Sequence, residues 1–174
     1  MVCYISFSID GRDLMINEEN PYDVKMWKTH HSKGKMKKPR WNQLKITSGN
    51  HGYKFITISP KQYLLHRVNY YAHYPTWDIH DTSQSNQVDH IDNKGDLPKH
   101  LFNNIENLRV VTNQENHFNT NCKGYCWYKN SQKWMARIKL NGKSKYLGYF
   151  VLEEDARQAY LEAKKIYHII PNRK

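Results

Sequence analysis

Residues 86–119 read NQVDHIDNKGDLPKHLFNNIENLRVVTNQENHFN, and this stretch decides how the rest of the chain is interpreted. Val88-Asp89-His90-Ile91 forms a short apolar-edged strand that opens into a polar Asp/Asn/Gly loop, and strand alternation sends Asp89 and His90 to opposite sides. Leu108-Arg109-Val110-Val111 is a second, β-branched strand. Thr112-Asn113-Gln114-Glu115 then has the T-x-x-E pattern of a capping box and starts a helix with Asn116 in its first turn. The order strand, loop, strand, helix returns the helix over the first strand, so Asp89 and Asn116 are expected to share one cation.

That expectation carries a chemistry. Phosphodiester cleavage needs an activated water and a cation on the scissile phosphate and leaving oxygen. Asp89 supplies a carboxylate and Asn116 an amide oxygen. A hard cation prefers such ligands, and magnesium completes its shell with substrate phosphate and water; manganese is the alternative. His90, whose side chain titrates near neutrality, is suited to act as general base on the attacking water.

The segments VDHID, NNIENLRVVT and QEN together resemble the HNH nuclease signature of phage and mobile-element homing endonucleases. The resemblance implies that His90 is the general base, that Asp89 and Asn116 are the metal ligands, and that Asn107 is the middle asparagine, which orients the base and braces the loop. Two departures stand out. The loop from Asp92 to Asn104 is a few residues longer than the usual turn, and the last motif position is Asn116, not histidine, which gives an HNN-like variant. The adjacent His117 is the competing ligand, and Asn116 is preferred. Upstream, LLHRVNYYAHYP (64–75) resembles the His-Arg segment found before the motif in this branch. It makes His66 and Arg67 candidates for holding phosphate; a helix with a solvated His-Arg pair is the competing reading.

Residues 123–170, KGYCWYKNSQKWMARIKLNGKSKYLGYFVLEEDARQAYLEAKKIYHII, parse as three strands and a helix. Lys129-Asn130-Ser131 and Asn141-Gly142 are turns, the second a strong hairpin signal because both residues tolerate positive φ. Ala156, Ala159, Tyr160 and Ala163 recur at helical spacing and form a small-residue face that packs on a sheet. The other sheet face is expected to present Trp127, Lys129, Lys133, Arg137, Lys139, Lys143 and Lys145 to a partner. A ribbon of that width enters a DNA major groove. The segments KWMARI, NGKSKYLGYF and EEDARQAY resemble the APETALA-type (ethylene-response-factor) DNA-binding domain. The resemblance implies duplex DNA as partner, read in the major groove by the sheet, with Arg137 the foremost residue for base readout and Lys129 and Lys145 as phosphate contacts. Trp134 is a core aromatic or a groove contact, the core reading being preferred.

The rest of the chain fits this frame. The 174 residues hold 27 Lys and Arg against 16 Asp and Glu, a net charge of +11, which points to a polyanionic partner. From Cys122 onward there are 12 Lys/Arg against 4 Asp/Glu, which suggests a boundary within His117–Lys123. No stretch is long and apolar enough to span a bilayer. The start MVCYISFSIDGRD lacks a basic end and apolar core, so a cytoplasmic location in a host cell is expected. Cys3, Cys122 and Cys126 form neither a disulfide framework nor paired zinc knuckles, and no structural zinc is expected. Turn signals at Asp10-Gly11, Asn20-Pro21 and Ser48-Gly49-Asn50 predict short strands and loops over the first 60 residues. Within them HHSKGKMKKPR (30–40) reads as a loop, either solvated or phosphate-contacting, with Lys33, Lys35, Lys37, Lys38 and Arg40. Tyr53–Leu65 predicts a hairpin closed near Pro60, and His66–Tyr74 a helix with Val68, Tyr71 and Ala72 on one face.

The expected fold class is α+β: small N-terminal strands and a helix lead into a ββα-metal (HNH) finger at about 88–118 within a nuclease domain 1–121, followed by a DNA-binding domain 122–174 of a three-stranded antiparallel sheet and one packed helix. The expected function is metal-dependent endonucleolytic cleavage of duplex DNA by a monomer or weak dimer without a small-molecule cofactor. The alternative is a catalytically inactive, sequence-specific DNA-binding regulator. A nuclease acting on structured RNA is a weaker third reading.

Overall fold

The computed structural model describes residues 2–32, 35–49, 52–93, 95–120 and 122–171, with side chains described at all of these except 30–32 and 35–37. The protein is α+β, with several small antiparallel sheets and three α-helices. It divides into two compact units, residues 1–83 with 88–110 and residues 84–87 with 111–174. No helix among the described residues is long and apolar enough to cross a membrane.

The first unit starts with β1 (Tyr4–Ile9), β2 (Arg12–Asn17), β3 (Val24–Ser32) and β4 (Lys35–Gln43), paired in that order. Asp10 and Gly11, both at positive φ, close the first hairpin, a turn that suits the twist of the flanking strands. Ile9, Leu14, Ile16, Val24 and Met26 alternate onto one face and are buried there. The HHSKGKMKKPR segment corrects the loop expected from its composition. Its described residues belong to the facing ends of β3 and β4, where Lys28 lies opposite Arg40 and Trp27 opposite Trp41. Its Lys33 and Gly34 lie outside the described residues. Pro39 is tolerated because β4 is an edge strand whose register slips between Lys28 and His30.

A second sheet follows, β5 (Ile46–Ser48), β6 (Lys54–Ile58) and β7 (Lys61–Leu64), with the β6–β7 hairpin where the sequence predicts it. Then comes α1 (Leu65–His73). The core of the unit joins Leu14, Ile16 and Val24 to Ile56, Ile58, Leu65, Val68 and Ala72. A smaller cluster joins Tyr70 of α1 to Val88 of β8 (Gln87–His90) and Leu108 of β9 (Leu108–Val111), which pair as a two-stranded sheet. This cluster seats β8 and β9, and with them Asp89 and His90, against α1.

The second unit holds α2 (Asn113–Phe118), β10 (Tyr125–Tyr128), β11 (Lys133–Leu140), β12 (Lys143–Phe150) and α3 (Glu153–Tyr167). The α2 N-terminus carries the capping box read from the sequence: Glu115 N–H donates to Thr112 Oγ1 at 3.2 Å and Thr112 N–H to Glu115 Oε2 at 2.7 Å. β10, β11 and β12 form an antiparallel sheet in chain order, with α3 packed against it through Ile138, Tyr160 and Ala163. The Asn141-Gly142 turn has φ of 50° and 76°, the conformation for which those residue types are suited. Gly124 has φ 66°, and a Cβ there would lie 2.1 Å from the Tyr160 ring, so this position closes the module only as glycine. Phe118 of α2 stacks on His168 at 4.0 Å, and Gln114 donates to Asn141 at 2.8 Å, so α2 packs with the sheet module. The division between units thus falls at 110/111, ahead of α2.

Candidate functional site

His90 ends β8 and is 7% exposed. Its ring stacks on Phe102 at 4.2 Å and meets His66 edge-on at 5.0 Å. Its Nε2 lies 2.8 Å from Asn103 Oδ1. Asn103 Nδ2 donates to the Tyr22 hydroxyl at 3.0 Å, which identifies its Oδ1 as the acceptor toward His90. The neutral His90 tautomer consistent with this carries its proton on Nε2 and its basic lone pair on Nδ1. Burial holds the His90 imidazole below its ordinary pKa, while Asn103 and Asp89 pull the other way.

Asn103 was not among the residues singled out from the sequence, and it hydrogen-bonds the His90 imidazole. Its place is fixed from two directions. The side chain of Asn69, on α1, donates to the Asn103 carbonyl at 2.7 Å, and Tyr22 donates to the Lys99 carbonyl at 3.1 Å. Asn69 and Asn103 are both nearly fully buried, so they are pinned by packing as well as by hydrogen bonds.

Asn107 sits in a single 3-10 turn, Ile105–Asn107, directly before β9. Its Oδ1 accepts from Asp92 N–H at 2.7 Å and its Nδ2 donates to the Phe102 carbonyl at 2.8 Å. The Ile91 N–H donates to the Asn107 carbonyl at 2.8 Å. Asn107 thereby ties together the two ends of the long loop that follows His90. The same loop is braced by Asp92, which accepts from Leu97 N–H at 2.9 Å.

Asp89 is 5% exposed, and its Oδ2 accepts from both Nε and Nη2 of Arg109, at 3.1 and 2.9 Å. The sequence reading left Arg109 as an ordinary strand residue, yet it is the countercharge of the candidate metal ligand. Asp89, His90 and Asn107 belong to the first unit, and Asn116 lies on α2 in the second. His117, the competing ligand, places Nδ1 2.6 Å from the Asn113 carbonyl within its own helix. Among the described residues no group of three or more His, Cys, Asp or Glu side chains gathers as a metal cage. Within the first unit, the Asp89 carboxylate is a ligand type that suits a hard cation, which completes its shell with phosphate and water.

His66 and Arg67 are both buried on α1. Desolvation, with the His90 and Arg67 charges, pushes the His66 imidazole down to about 3, so it stays neutral beside His90. The Arg67 guanidinium donates from Nη2 to the Ile79 and Asp81 carbonyls, each at 2.8 Å, and lies 4.6 Å over the Trp77 ring. It holds the segment after α1 in place.

In the second unit, cross-strand register sorts the basic residues. Ala136 and Ile138 of β11 are buried under α3, so Lys133, Arg137 and Lys139, at the alternate positions, lie on the open face. Trp127 pairs with Trp134 and Lys145 with Ile138, which places them on the α3 side; Lys145 lies over the Tyr167 ring at 4.3 Å and donates to its hydroxyl. Trp134 is half-buried, 5.5 Å from Trp127 and 6.2 Å from Tyr125, on the core side of the sheet. Lys143 pairs with Leu140, and Lys129 is exposed in the turn after β10. Three tyrosines absent from the sequence reading complete the open face: Tyr128 opposite Lys133, Tyr149 opposite Met135 and Tyr146 opposite Arg137. Their rings form a chain, 5.5 Å from Tyr128 to Tyr149 and 5.3 Å from Tyr149 to Tyr146. The leucine between Tyr146 and Gly148 has no register partner, a bulge that brings Tyr146 to this side.

Comparison with protein-family models, with curated proteins and with solved structures finds no match to this chain.

Proposed function

We propose that the protein is a metal-dependent DNA endonuclease of HNH type, in which His90 is the general base, Asp89 and Asn116 hold one divalent cation, and the open face of β10–β12 grips duplex DNA. The observation that carries the reading is the environment of His90: a buried, neutral imidazole with its Nε2 on Asn103 Oδ1. A general base must enter the reaction deprotonated and in one orientation, and this setting supports both requirements. Asn103 is a positioning residue in this reading, since it acts through the His90 tautomer. Asn107 keeps the loop after His90 closed at both ends.

The chemistry of each part follows from its groups. His90 takes the proton of the attacking water, and the rings of Phe102 and His66 keep its plane fixed. The bound cation, magnesium or manganese, supplies charge on the scissile phosphate and the leaving oxygen. Asp89 and Asn116 would hold it, with the Arg109 guanidinium setting the carboxylate orientation. Lys133, Arg137 and Lys139 contact phosphates or base edges from the open sheet face, and Arg137 suits base readout because its planar fork matches a guanine edge. The high positive charge of the chain favours the encounter.

One observation favours a second reading. Arg109 already neutralises Asp89, and a guanidinium on that carboxylate competes with a cation. A catalytically inactive DNA-binding regulator would keep this pair closed. Incubation of the purified protein with supercoiled plasmid separates the two readings. The nuclease reading expects nicked or linear product with magnesium or manganese, none with EDTA, and none with His90→Ala. Intact plasmid under every divalent ion, with duplex binding retained, establishes the regulator.

A further inference from the structure

Only Val24–Met26 of β3 pair with β2 among the described residues, whereas the pairing of β3 with β4 continues from Lys25↔Gln43 to Ser32↔Lys35. Residues 27–32 and 35–41 therefore form a two-stranded antiparallel ribbon continuing past the sheet that anchors it. Its composition is one-sided. Between the two tryptophans the sequence carries Lys28, Lys33, Lys35, Lys37, Lys38 and Arg40, and no carboxylate.

The register makes this charge costly to the fold. Lys28 lies directly opposite Arg40, and like charges facing each other across two strands destabilise the pairing. Cations and a proline on an edge strand also discourage strand-to-strand association, and β4 has Pro39 for that purpose. That function calls for a charge or two; six cations without a compensating acid within 15 residues call for a negatively charged partner. At the root of the ribbon Trp27 and Trp41, 39% and 36% exposed, meet edge-on at 5.3 Å on the face opposite Lys28 and Arg40. They stiffen the pairing where the ribbon leaves the sheet and present ring edges to whatever it meets.

We infer that the β3–β4 ribbon is a separate DNA-binding arm of the first unit, entering the major groove of duplex DNA while Lys28, Lys38 and Arg40 contact the flanking phosphates. A two-stranded ribbon matches the width of the B-form major groove, and the deep, narrow major groove of an RNA duplex does not admit it. The inference rests on the reading of the protein as DNA-binding and adds a contact surface remote in sequence from the β10–β12 sheet.

The test uses the full chain carrying Lys28→Gln, Lys38→Gln and Arg40→Gln together, all surface changes of similar length. Duplex DNA affinity is measured over a series of salt concentrations. Three lost phosphate contacts lower the magnitude of the slope of log K against log salt by about 2.7, at about 0.9 per contact. The same number of neutral substitutions at Lys45, Lys54 and Lys61, cations of the same unit outside the ribbon, leaves the slope close to that of the unaltered protein. A ribbon variant with unchanged slope, or a control triple with an equal drop, overturns the inference while leaving DNA binding intact. An equal effect of the ribbon variant on an RNA duplex of the same length overturns groove entry. Absence of any duplex binding by the unaltered protein would instead sink the DNA-binding reading itself, a result distinct from the others.

Discussion

In the first unit His66, Asp89, His90, Asn103 and Asn107 are each less than a tenth exposed, whereas in the second unit Lys133, Arg137, Lys139 and three tyrosines face solvent. Each setting imposes its own physics. Buried polar groups have few orientations and shifted proton affinities, and removing one partner leaves another stranded. Exposed cations are screened by salt and adapt to a mobile polyanion. Under the proposed function, bond cleavage would use the first environment and a grip on the phosphate backbone the second.

The largest expected effect lies in the buried set. Asp89→Ala leaves the Arg109 guanidinium without its countercharge in a site where both side chains are nearly inaccessible, and it is expected to cost about 3–5 kcal/mol of stability. Denaturant unfolding followed in the first unit measures it. Asp89→Asn, which retains an acceptor for Arg109, recovers part of the stability and none of the cleavage. A fully stable Asp89→Ala protein would show that the pair is not buried as described.

Next comes acid sensitivity. His66 in the folded state has its pKa pushed down to about 3, and His90 is also lowered, so between the ordinary histidine value and the folded value the unfolded chain binds more protons. Stability is therefore complete above pH 6.5 and falls on acidification below it, by about 1.4 kcal/mol per pH unit for a histidine that stays neutral when folded. His66→Leu should flatten that slope by about one proton. Constant stability of the unaltered protein from pH 7 to pH 5 would contradict the burial of both imidazoles.

On the exposed side, Lys133→Gln, Arg137→Gln and Lys139→Gln together are expected to reduce the salt dependence of duplex binding by about 2.7 in the log–log slope and to leave folding stability within about 0.5 kcal/mol. A stability loss of several kcal/mol would place these residues in the fold. The smallest effect is at the α2 cap: Thr112→Ala removes the acceptor for Glu115 N–H and should cost about 1 kcal/mol, read as a lowered denaturation midpoint of the second unit.

Much of this architecture is legible in the sequence where local chemistry dictates it. Asn141-Gly142 demands a tight hairpin, Thr112 and Glu115 spell a capping box, and the Ala156/Tyr160/Ala163 spacing gives the buried face of α3. Where pairing partners lie far apart, the sequence carries no signal. Asn103 meets His90 from thirteen positions along the chain, and Tyr22 reaches Asn103 from 81 positions away. Arg109 sits in a β-branched run whose register decides that it faces Asp89. Of the open-face tyrosines, Tyr146 depends on the bulge in β12, which reassigns faces on one side of it. The β3–β4 ribbon is obscured for another reason, since closely spaced lysines with a proline have the composition of a loop, and the cross-strand pairing of β3 with β4 overrides that preference.

In the proposed function His90, neutral and oriented by Asn103, takes the proton of the attacking water. The pH dependence of single-turnover DNA cleavage at saturating magnesium tests it directly, because a base works only when deprotonated. With the His90 pKa lowered by burial, the rate should be constant down to pH 6.5 and fall only below it, and Asn103→Leu should slow cleavage and displace that acid limb. A rate still rising through pH 7 and above, or an acid limb that Asn103→Leu leaves in place, would rule out His90 as a base oriented by Asn103.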